Sequence, residues 1–533
     1  MGEHPVAGTG QLVRLALRRD RITLPLWILL LGVLPASTGS TYEQLYPNVA
    51  GRAMLTTAIG GNPSVAVLYG PAFDLSTAGG FVAWRLSGFI AVFIGLMVIF
   101  TVTRHTRAEE DTGRAELLGS AVVGRYAMLT AAVLVAAGAS ALIGVTQVAT
   151  MIGAGMPAGG SFAFGLATLG AGLVFTAVAS VAVQVAEYSR AANGFASSAL
   201  AVTFLLRGIG DSASDAGWLS WLSPIGWSQQ LRPFADERWW VLALPLATAL
   251  LVGAIGYQLL PRRDLDAGLI RTRTGPAAGA PSLRSPLALA WRLHNGSLVG
   301  WTVGTALAGL IMGSIVNGIG TIIGDNEQAR QMFERMGGSS AIIDAFLAAL
   351  IGMFGMVTAV FGVQAALRMR AEESATRVEP LLANAVSRLR WNASHLMVAF
   401  VGSGWILLVA GLAMGLAHGL RTGDVPGAVG DVLTGSMAQL PATWVIVGIA
   451  AALFGLLPRF STGAWGVLAA ALVLNLFGQM LGLPRALVDI SPFAHIPKLP
   501  GAEFTAMPLV WLTAVAIAVL AAGLVGFKRR DIT

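Results

Sequence analysis

The sequence predicts an all-α polytopic membrane protein with about twelve transmembrane helices, arranged as two parallel repeats of six, with both termini in the cytoplasm. Three observations support this fold class. The 533 residues are 55% hydrophobic and only 11% charged, which is about half the charge of an average globular protein. Apolar runs without charged residues recur along the whole chain, and short motifs of the first half return in the second half.

The apolar runs predict the number of helices. A bilayer core about 30 Å thick needs roughly 20 apolar residues in a helix, and a charge at its centre costs about 2.5–3.5 kcal/mol. The charge-free runs are residues 22–42, 86–103, 126–186, 191–206, 239–261, 293–324, 345–367, 391–420, 432–458, 460–484 and 504–527. The third run is long enough for two helices and is broken by proline and glycines near 156–160, so we expect twelve helices.

Two further segments are predicted to lie outside the membrane core. The apolar stretch 53–73 is interrupted by Gly60-Gly61-Asn62-Pro63 and by Tyr69-Gly70-Pro71. Unpaired backbone at such breaks is not tolerated against lipid, so we expect this stretch in a long outer loop. Five tryptophans between positions 218 and 240 surround Ser223-Pro224 and predict a short outer helix at the membrane interface.

Lysine and arginine predict the orientation, because positively charged short loops stay in the cytoplasm. With both termini inside, the inner segments hold 24 of the 34 lysines and arginines. The other ten are spread over six outer loops and the helix ends. This asymmetry favours cytoplasmic termini.

Three motifs of the first half recur in the second at offsets of 263 to 268 residues. Residues 107–118 align with 370–381 with seven of twelve identical, Ser223-Pro224 recurs as Ser491-Pro492, and Arg262-Arg263-Asp264 recurs as Arg529-Arg530-Asp531. An even number of helices in each copy gives both copies the same orientation in the membrane. We therefore divide the chain into a first half at 1–263, a polar cytoplasmic linker at 264–290 and a second half at 291–533.

The repeated Arg-Ala-Glu-Glu segment lies between the second and third helices of each half, on the predicted cytoplasmic side. Glu110 with Arg114, and Glu373 with Arg377, are acid-before-base pairs at i,i+4, which predicts a short exposed helix in each half. A single copy could be an ordinary solvated turn. Two copies at matching places in the topology favour a docking role.

Other kinds of chemistry find little support. There is no cysteine, the six histidines lack metal-ligand spacing, and the basic residues lie in short clusters rather than along one polar face, which disfavours nucleic acid as a partner. A P-loop needs Gly-x-x-x-x-Gly-Lys-Ser/Thr, and neither Lys498 nor Lys528 completes that motif. Any ATP-driven work must therefore come from a partner.

Two motifs carry a family resemblance: Arg104-His105-Thr106-Arg107-Ala108-Glu109-Glu110 after the second helix, and Tyr69-Gly70-Pro71-Ala72-Phe73-Asp74 in the first outer loop. In both, the chain resembles the ABC-2-type permeases, in particular the fused two-half permeases of the polyketide-antibiotic (tetronasin-type) and multidrug exporter family. The resemblance implies a non-enzymatic permease of the bacterial cytoplasmic membrane that exports hydrophobic or amphiphilic compounds. It also implies two copies of a separate P-loop ATPase subunit, which bind ATP and Mg, and no cofactor in this chain.

The resemblance further implies roles for individual residues. The segment after the second helix is similar to the coupling helix that contacts the ATPase, and its members here are Arg107, Glu109, Glu110, Arg114 and Glu116 in the first half and Arg370, Glu372, Glu373, Arg377 and Glu379 in the second. In that family the transport path runs between the halves, which nominates Phe89, Phe93, Met97, Phe204, Met353, Met356, Asn475 and Gln479. Arg368-Met369-Arg370 replaces the His-Thr element in the second half, so the two docking sites are expected to be unequal.

Two other functions stay open at this point. A proton-coupled secondary antiporter also has twelve helices in two parallel halves, but it needs a titratable acid in the membrane, and Glu187 and Asp344 lie near helix ends. A membrane enzyme acting on lipid-linked substrates would use acids in a loop, for example Glu43 and Asp74. The antiporter does not explain the paired Arg-Ala-Glu-Glu segments, and the enzyme would turn over its substrate without ATP and without a soluble partner.

Overall fold

The computed structural model describes residues 4–59, 63–119, 123–212, 215–264, 267–270, 278–324, 338–384, 386–477 and 484–530. Every regular element in these residues is a helix. The chain divides into two compact units, unit 1 at residues 1–275 and unit 2 at residues 276–533. The boundary between them lies inside the polar segment 264–290.

Unit 1 contains thirteen α-helices among its described residues. They are α1 (Thr9–Arg19), α2 (Thr23–Leu45), α3 (Val49–Ile59), α4 (Pro63–Tyr69), α5 (Ala78–Arg104), α6 (Arg107–Asp111), α7 (Arg114–Gly119), α8 (Ala127–Gly153), α9 (Ala158–Val185), α10 (Ser189–Ser212), α11 (Trp218–Trp221), α12 (Pro224–Gln230) and α13 (Ala243–Leu259). Six of them, α2, α5, α8, α9, α10 and α13, carry spans that are long and apolar enough to cross a membrane.

Unit 2 contains nine α-helices among its described residues. They are α14 (Pro286–Gly324), α15 (Gly338–Ser374), α16 (Glu379–Leu382), α17 (Arg388–Thr422), α18 (Val425–Ala438), α19 (Leu440–Leu456), α20 (Gly463–Phe477), α21 (Arg485–Val488) and α22 (Ala506–Arg529). Five spans lie on α14, α15, α17, α18 together with α19, and α22, and α20 is a shorter apolar helix. The prediction of an all-α polytopic membrane protein with about twelve helices is confirmed.

Burial separates central helices from peripheral ones. In unit 1 the spans on α5 and α9 are each 72% buried, whereas the span on α13 is 17% buried. Glycines permit the closest crossings at the centre: Gly144 on α8 faces Gly165 on α9, and a Cβ on either would lie 2.7 Å from the carbonyl oxygen of the other. The α8 and α9 backbones are therefore in direct contact at this crossing, whereas α13 presents most of its surface outward.

The six spans of unit 1 alternate between two ends. The chain before α2 meets the loops after α5, α9 and α13 at one end, which we call the repeat-segment end of unit 1. At the opposite end, Tyr42 Oη donates to Leu75 O at 2.5 Å and Gln229 Nε2 donates to Tyr69 O at 2.5 Å. The described residues of the stretch 53–73 lie at that opposite end, outside the six spans, and contribute to the short helices α3 and α4.

Candidate functional site

The repeat-segment end of unit 1 begins with the break between α5 and α6. Helix α5 ends at Arg104. Arg104 Nη1 and His105 Nε2 contact the buried carboxylate of Asp20 at 2.7 Å and 2.6 Å. The short helices α6 and α7 follow and together form what we call the first repeat segment, Arg107–Gly119. Gly113 lies between them with φ +68°, a conformation that a residue with a side chain adopts at a cost.

A buried ion-pair cluster fixes α6 to the rest of the unit. Arg107 is fully buried, and its Nη1 contacts Glu110 Oε2 at 2.7 Å while its Nε donates to Val183 O at 2.7 Å. Arg263, at the end of α13, contacts both oxygens of Glu110, at 2.6 Å and 2.8 Å. Its Nε donates to Gln184 Oε1 at 2.6 Å. The segment is thereby tied to the ends of α9 and α13, and no member of the cluster is left as an isolated buried charge.

Glu109 ties the same segment to α1 and to α7. Its carboxylate contacts Arg19 Nη1 at 2.5 Å and Arg114 Nε at 3.0 Å. The hydrogen bond from Arg19 to Glu109 raises the pKa of the Arg19 guanidinium above its ordinary value. Asp111 accepts a hydrogen bond from Ser189 N at 2.9 Å, which adds the start of α10 to the set of helices that hold the segment.

The second repeat segment, Arg370–Leu382, has the same plan in unit 2. Arg530, just after α22, contacts both oxygens of Glu373 at 2.6 Å, and its guanidinium lies over the rings of Phe454 and Phe527 at 4.7 Å and 5.1 Å. Glu373 is therefore paired with the end of the last helix of unit 2, as Glu110 is paired with the end of the last helix of unit 1.

The partners of Glu372 complete the correspondence. Arg377 Nε contacts Glu372 at 3.0 Å, the same distance and atom type as the contact of Arg114 with Glu109. Arg368 on α15 supplies the second partner at 2.9 Å, where Arg19 on α1 supplies it in unit 1. The helices of the two segments differ. In unit 1 the chain breaks between α5 and α6, whereas in unit 2 α15 continues without a break to Ser374.

The predicted i,i+4 pairs are wrong. Glu110 and Arg114 do not pair with each other, nor do Glu373 and Arg377, because each helix ends before the basic residue: α6 ends at Asp111 and α15 ends at Ser374. The turn after each helix contains a residue with positive φ. As a result, each arginine contacts the glutamate five residues before it: Arg114 contacts Glu109, and Arg377 contacts Glu372. The acidic part of the first segment is also buried rather than exposed.

The surface of each segment is formed by the residues after the turn. In the first segment the side chains of Arg114, Glu116 and Leu117 are exposed, and in the second those of Arg377 and Glu379 are exposed. Of the ten residues that the sequence assigns to coupling, six are buried or half-buried, and Arg114, Glu116, Arg377 and Glu379 are exposed.

The start of the linker packs against the first repeat segment. Ala267 O accepts hydrogen bonds from Arg107 Nη2 at 2.8 Å and from Arg263 Nη1 at 3.3 Å. Leu269 N and Ile270 N donate to Gln184 O and Val185 O at 3.1 Å and 3.0 Å. The part of the predicted linker nearest to unit 1 is therefore built into that unit.

The Ser-Pro motifs make one further repeated contact. Ser223 Oγ donates to Thr203 O at 2.7 Å, and Ser491 Oγ donates to Ala471 O at 3.1 Å. Each serine reaches the carbonyl twenty residues earlier in the chain, so the two contacts correspond atom for atom. Ser223 also accepts from Gly226 N at 3.2 Å at the start of α12. The predicted short helix near the tryptophans is confirmed as α11 and α12.

A buried charge at the opposite end of unit 1 was missed by the sequence reasoning. Arg207 on α10 is fully buried, lies 3.7 Å from Asp211, and donates to Val67 O at 2.7 Å. Asp211 in turn accepts from Ser220 Oγ at 2.6 Å. The charge-free run 191–206 ends just before this arginine. A lone arginine in an apolar helix is itself a sign of a polar contact inside the protein.

Five of the eight candidate path residues form an exposed pair and a set of three that pack inside their own units. Phe93 and Met353 are exposed at the surfaces of their units, at 44% and 51%. Met97 and Met356 are buried in the cores of units 1 and 2, and Asn475 Nδ2 lies 3.5 Å from Met356 Sδ. The last three residues therefore take part in packing within their own units.

The remaining path residues lie near the loop that carries the Tyr-Gly-Pro motif or outside the described chain. Phe89 packs edge-on against Tyr69 with ring centroids 5.7 Å apart. Phe204 lies under the Arg207 guanidinium at 4.6 Å. Gln479 lies outside the described residues. The role of these eight residues in transport stays a prediction.

A metal centre is not apparent in the described part of the chain. Within it, no group of three or more His, Asp or Glu side chains is placed to hold a metal ion. The arrangement at the repeat-segment ends is one of ion pairs and backbone hydrogen bonds that fix surface segments to helix ends.

Comparison with known proteins identifies the family. A family model described as the C-terminal domain of the multidrug efflux system permease Rv1217c matches residues 10–259 and 283–528, one range in each unit. The chain is 47% identical over 527 residues to the multidrug efflux system permease protein Rv1217c of Mycobacterium tuberculosis (strain ATCC 25618 / H37Rv), a match that covers 98% of this chain and 95% of the relative. The chain is therefore a multi-pass protein of the bacterial plasma membrane that belongs to the Rv1217c family of multidrug efflux system permeases.

Proposed function

We propose that this chain is the permease subunit of an ATP-binding cassette exporter that moves hydrophobic or amphiphilic compounds out of the cell with energy from a separate ATPase. The observation that carries the proposal is the pair of repeat segments, each tied by the same glutamate–arginine contacts to the helix ends of its own unit. The name of the 47% identical relative, a multidrug efflux permease, supports the choice of cargo.

The contacts describe how each segment would act as a lever. In unit 1 the segment is tied to α1 by Arg19, to α10 by Ser189 N and to α13 by Arg263. A force on the exposed residues after the turn would therefore reach several spans at once rather than bend a loose loop. Buried, charge-assisted hydrogen bonds are stiff enough for this role because breaking one leaves an unpaired charge.

The same geometry supports the choice of partner. Two equivalent segments fit two copies of one P-loop ATPase subunit, in the ABC-2 arrangement, with each subunit contacting one segment as a coupling helix. ATP and Mg would be bound by those subunits. In this proposal four exposed side chains touch the ATPase, namely Arg114, Glu116, Arg377 and Glu379. The buried Glu109 and Glu110 hold the first segment in place through Arg19, Arg107 and Arg263.

The path is proposed to be lined by residues of the predicted helices at 86–103 and 191–206 in unit 1 and at 345–367 and 460–484 in unit 2. Phe93 and Met353, which are exposed from their units, are the best placed of the eight candidates to meet an apolar compound. Alternating access would then couple ATP-driven closure of the ATPase pair to outward opening of this path, with selectivity supplied by the permease.

The energy source is the point to test. The chain should be expressed with its cognate ATPase, reconstituted in vesicles, and assayed for uptake of a fluorescent amphiphilic drug with ATP or with an imposed proton gradient. We expect uptake with ATP only when the ATPase is present. Uptake by the permease alone that follows the proton gradient would overturn the proposal in favour of an antiporter.

Charge reversal on the exposed face separates docking from folding. Glu116→Lys and Glu379→Lys should weaken drug-stimulated ATP hydrolysis and ATPase copurification while leaving thermal stability unchanged, because both side chains are exposed. Arg421→Glu, at an exposed position near the end of α17, is the matched control and should leave both unchanged. Equal effects at all three positions would contradict docking at the repeat segments.

A further inference from the structure

Unit 2 contains an elongated cavity of about 980 Å³ between the first half of α14 and the middle of α17. Its eighteen lining residues all belong to unit 2, and most of them lie on α14 and α17. This volume is at the upper end of the range for small-molecule sites. None of the coupling or path residues discussed above lines it.

One end of the cavity is polar and basic. Ser282, Ser285 and Asn295 contribute hydroxyl and amide groups there, and Arg292 contributes the only charge among the eighteen lining residues. No lining residue is acidic, so the cavity itself offers no carboxylate to neutralise the guanidinium. A ligand with an anionic group complements this end of the cavity.

The other end is apolar and has no hydrogen-bonding requirement of its own. Val299, Val303 and Val401 line it together with the indole ring of Trp405. The indole N–H of Trp405 donates to Thr302 Oγ1 at 3.1 Å, and Thr302 Oγ1 donates to Leu298 O at 2.7 Å. Both polar side-chain atoms at this end are thus satisfied within the protein, which leaves a surface suited to hydrocarbon.

The dimensions match one leaflet of a bilayer. Arg292 and Val303 are eleven residues apart on the same helix, so the distance along the axis is about 16 Å at a rise of 1.5 Å per residue. The hydrocarbon core of a bilayer is about 30 Å thick, and half of it is about 15 Å. The lining residues on α14 and α17 belong to membrane-length spans, and Val401, Val299 and Met397 are each more than half exposed on the surface of the unit.

We propose that this cavity binds an anionic phospholipid from the surrounding membrane. The phosphate lies against Arg292 and Asn295, and the acyl chains lie along the valines between α14 and α17. The basic group, the satisfied polar atoms of the apolar end and the length of one leaflet together fit a lipid with a charged headgroup at one end. A lipid held there would fill the space between the two helices and fix their separation.

Lipid retention measured by native mass spectrometry tests the proposal. The permease–ATPase complex is exchanged into detergent, incubated with phosphatidylglycerol or phosphatidylcholine, and weighed. We expect one saturable phosphatidylglycerol per permease, preferred about tenfold over phosphatidylcholine. Both lipids present a phosphate to Arg292, but the choline group of phosphatidylcholine places a second cation beside the guanidinium. Arg292→Glu should abolish the preference, and Val299→Trp should reduce retention of both lipids by filling the apolar end.

Two control variants make the result specific to the cavity. Arg284→Glu changes the same charge at an exposed position that does not line the cavity, and Leu310→Trp introduces the same side chain at an exposed α14 position outside it. Both should bind lipid as the unaltered chain does. The proposal is overturned if Arg284→Glu and Arg292→Glu weaken retention equally, if the two lipids bind alike, or if a cationic drug displaces the lipid from the unaltered chain and binds Arg292→Glu equally well.

Discussion

The first and second repeat segments share one set of contacts, but the first is held by more of them. In unit 1, Glu110 is paired with two arginines, of which Arg107 is fully buried and also bonds two backbone carbonyls. In unit 2, Glu373 is paired with Arg530, and the residue equivalent to Arg107 is the half-buried Arg370. The shared contacts mark what both halves need, and the additional ones mark where the halves have diverged.

The two segments therefore need not respond equally to the same force. We expect the first segment, which follows a helix break and is held by buried ion pairs, to move together with the helix ends that hold it. We expect the second segment, which continues from α15 without a break, to move with that helix. Substitutions in the two segments separate these two responses.

Loss of the central glutamate should be most costly in unit 1. Glu110→Gln leaves two guanidinium groups without their carboxylate, and we expect it to lower the free energy of unfolding by about 4 kcal/mol, within the range for a broken buried ion pair. Glu373→Gln leaves only Arg530, and we expect a loss of about 2 kcal/mol. Unfolding in SDS followed by tryptophan fluorescence measures both. Equal losses would mean that the ion pair of Arg107 with Glu110 adds nothing to the stability of unit 1.

Exchanging the charges should restore one unit and not the other. The double variant Glu373→Arg with Arg530→Glu re-forms the same ion pair, and we expect it to recover about 2 kcal/mol relative to the worse single variant. The corresponding exchange of Glu110 and Arg263 should recover little, because Arg107 would then face a second arginine. Double-variant cycles of unfolding free energy test this, and recovery in unit 1 would contradict the three-residue cluster.

The turn residues should respond in opposite directions. Gly113 and Thr376 are equivalent positions with φ of +68° and +55°, and only glycine adopts this conformation without strain. Thr376→Gly should stabilise the protein by about 1 kcal/mol, and Gly113→Thr should destabilise it by about 1–2 kcal/mol. Thermal unfolding in detergent measures both shifts. Thr376 Oγ1 donates to Ala375 O at 2.8 Å, and a loss of stability in Thr376→Gly would show that this contact outweighs the backbone strain.

The Ser-Pro contacts should cost least and differ slightly. Ser491→Ala removes one hydrogen bond to a carbonyl, for a loss of about 1 kcal/mol. Ser223→Ala removes a similar bond and also the cap of α12, so its loss should be larger by about 0.5–1 kcal/mol. The same thermal assay compares them, with Ser37→Ala, at an exposed site on α2, as the control expected to have no effect.

The number of helices could be predicted because a membrane span is a local property. The length and lack of charge of a run such as 504–527 can be read directly from the sequence, and the structure places α22 at Ala506–Arg529. The short helices α3 and α4 were not predicted, because glycine and proline breaks show where a span fails but not what the backbone does between them.

The site could be predicted only in part because its defining contacts join distant residues. The repeats at 107–118 and at 262–264 were each visible, but nothing along the sequence links Glu110 to Arg263, which are 153 residues apart. Local spacing instead suggested the i,i+4 partner Arg114, and the turn at Gly113 prevents that pairing. Whether the exposed residues of each segment meet an ATPase stays a prediction.

The most direct test of that central claim uses the absence of cysteine from the chain. Single cysteines at Glu116 and Glu379 are labelled with a maleimide dye in membranes, with and without the cognate ATPase, and a cysteine at Arg421 serves as the control. We predict that the ATPase shields both segment positions and leaves the control position unchanged. Equal labelling of all three positions with a functional ATPase present would contradict docking at the repeat segments.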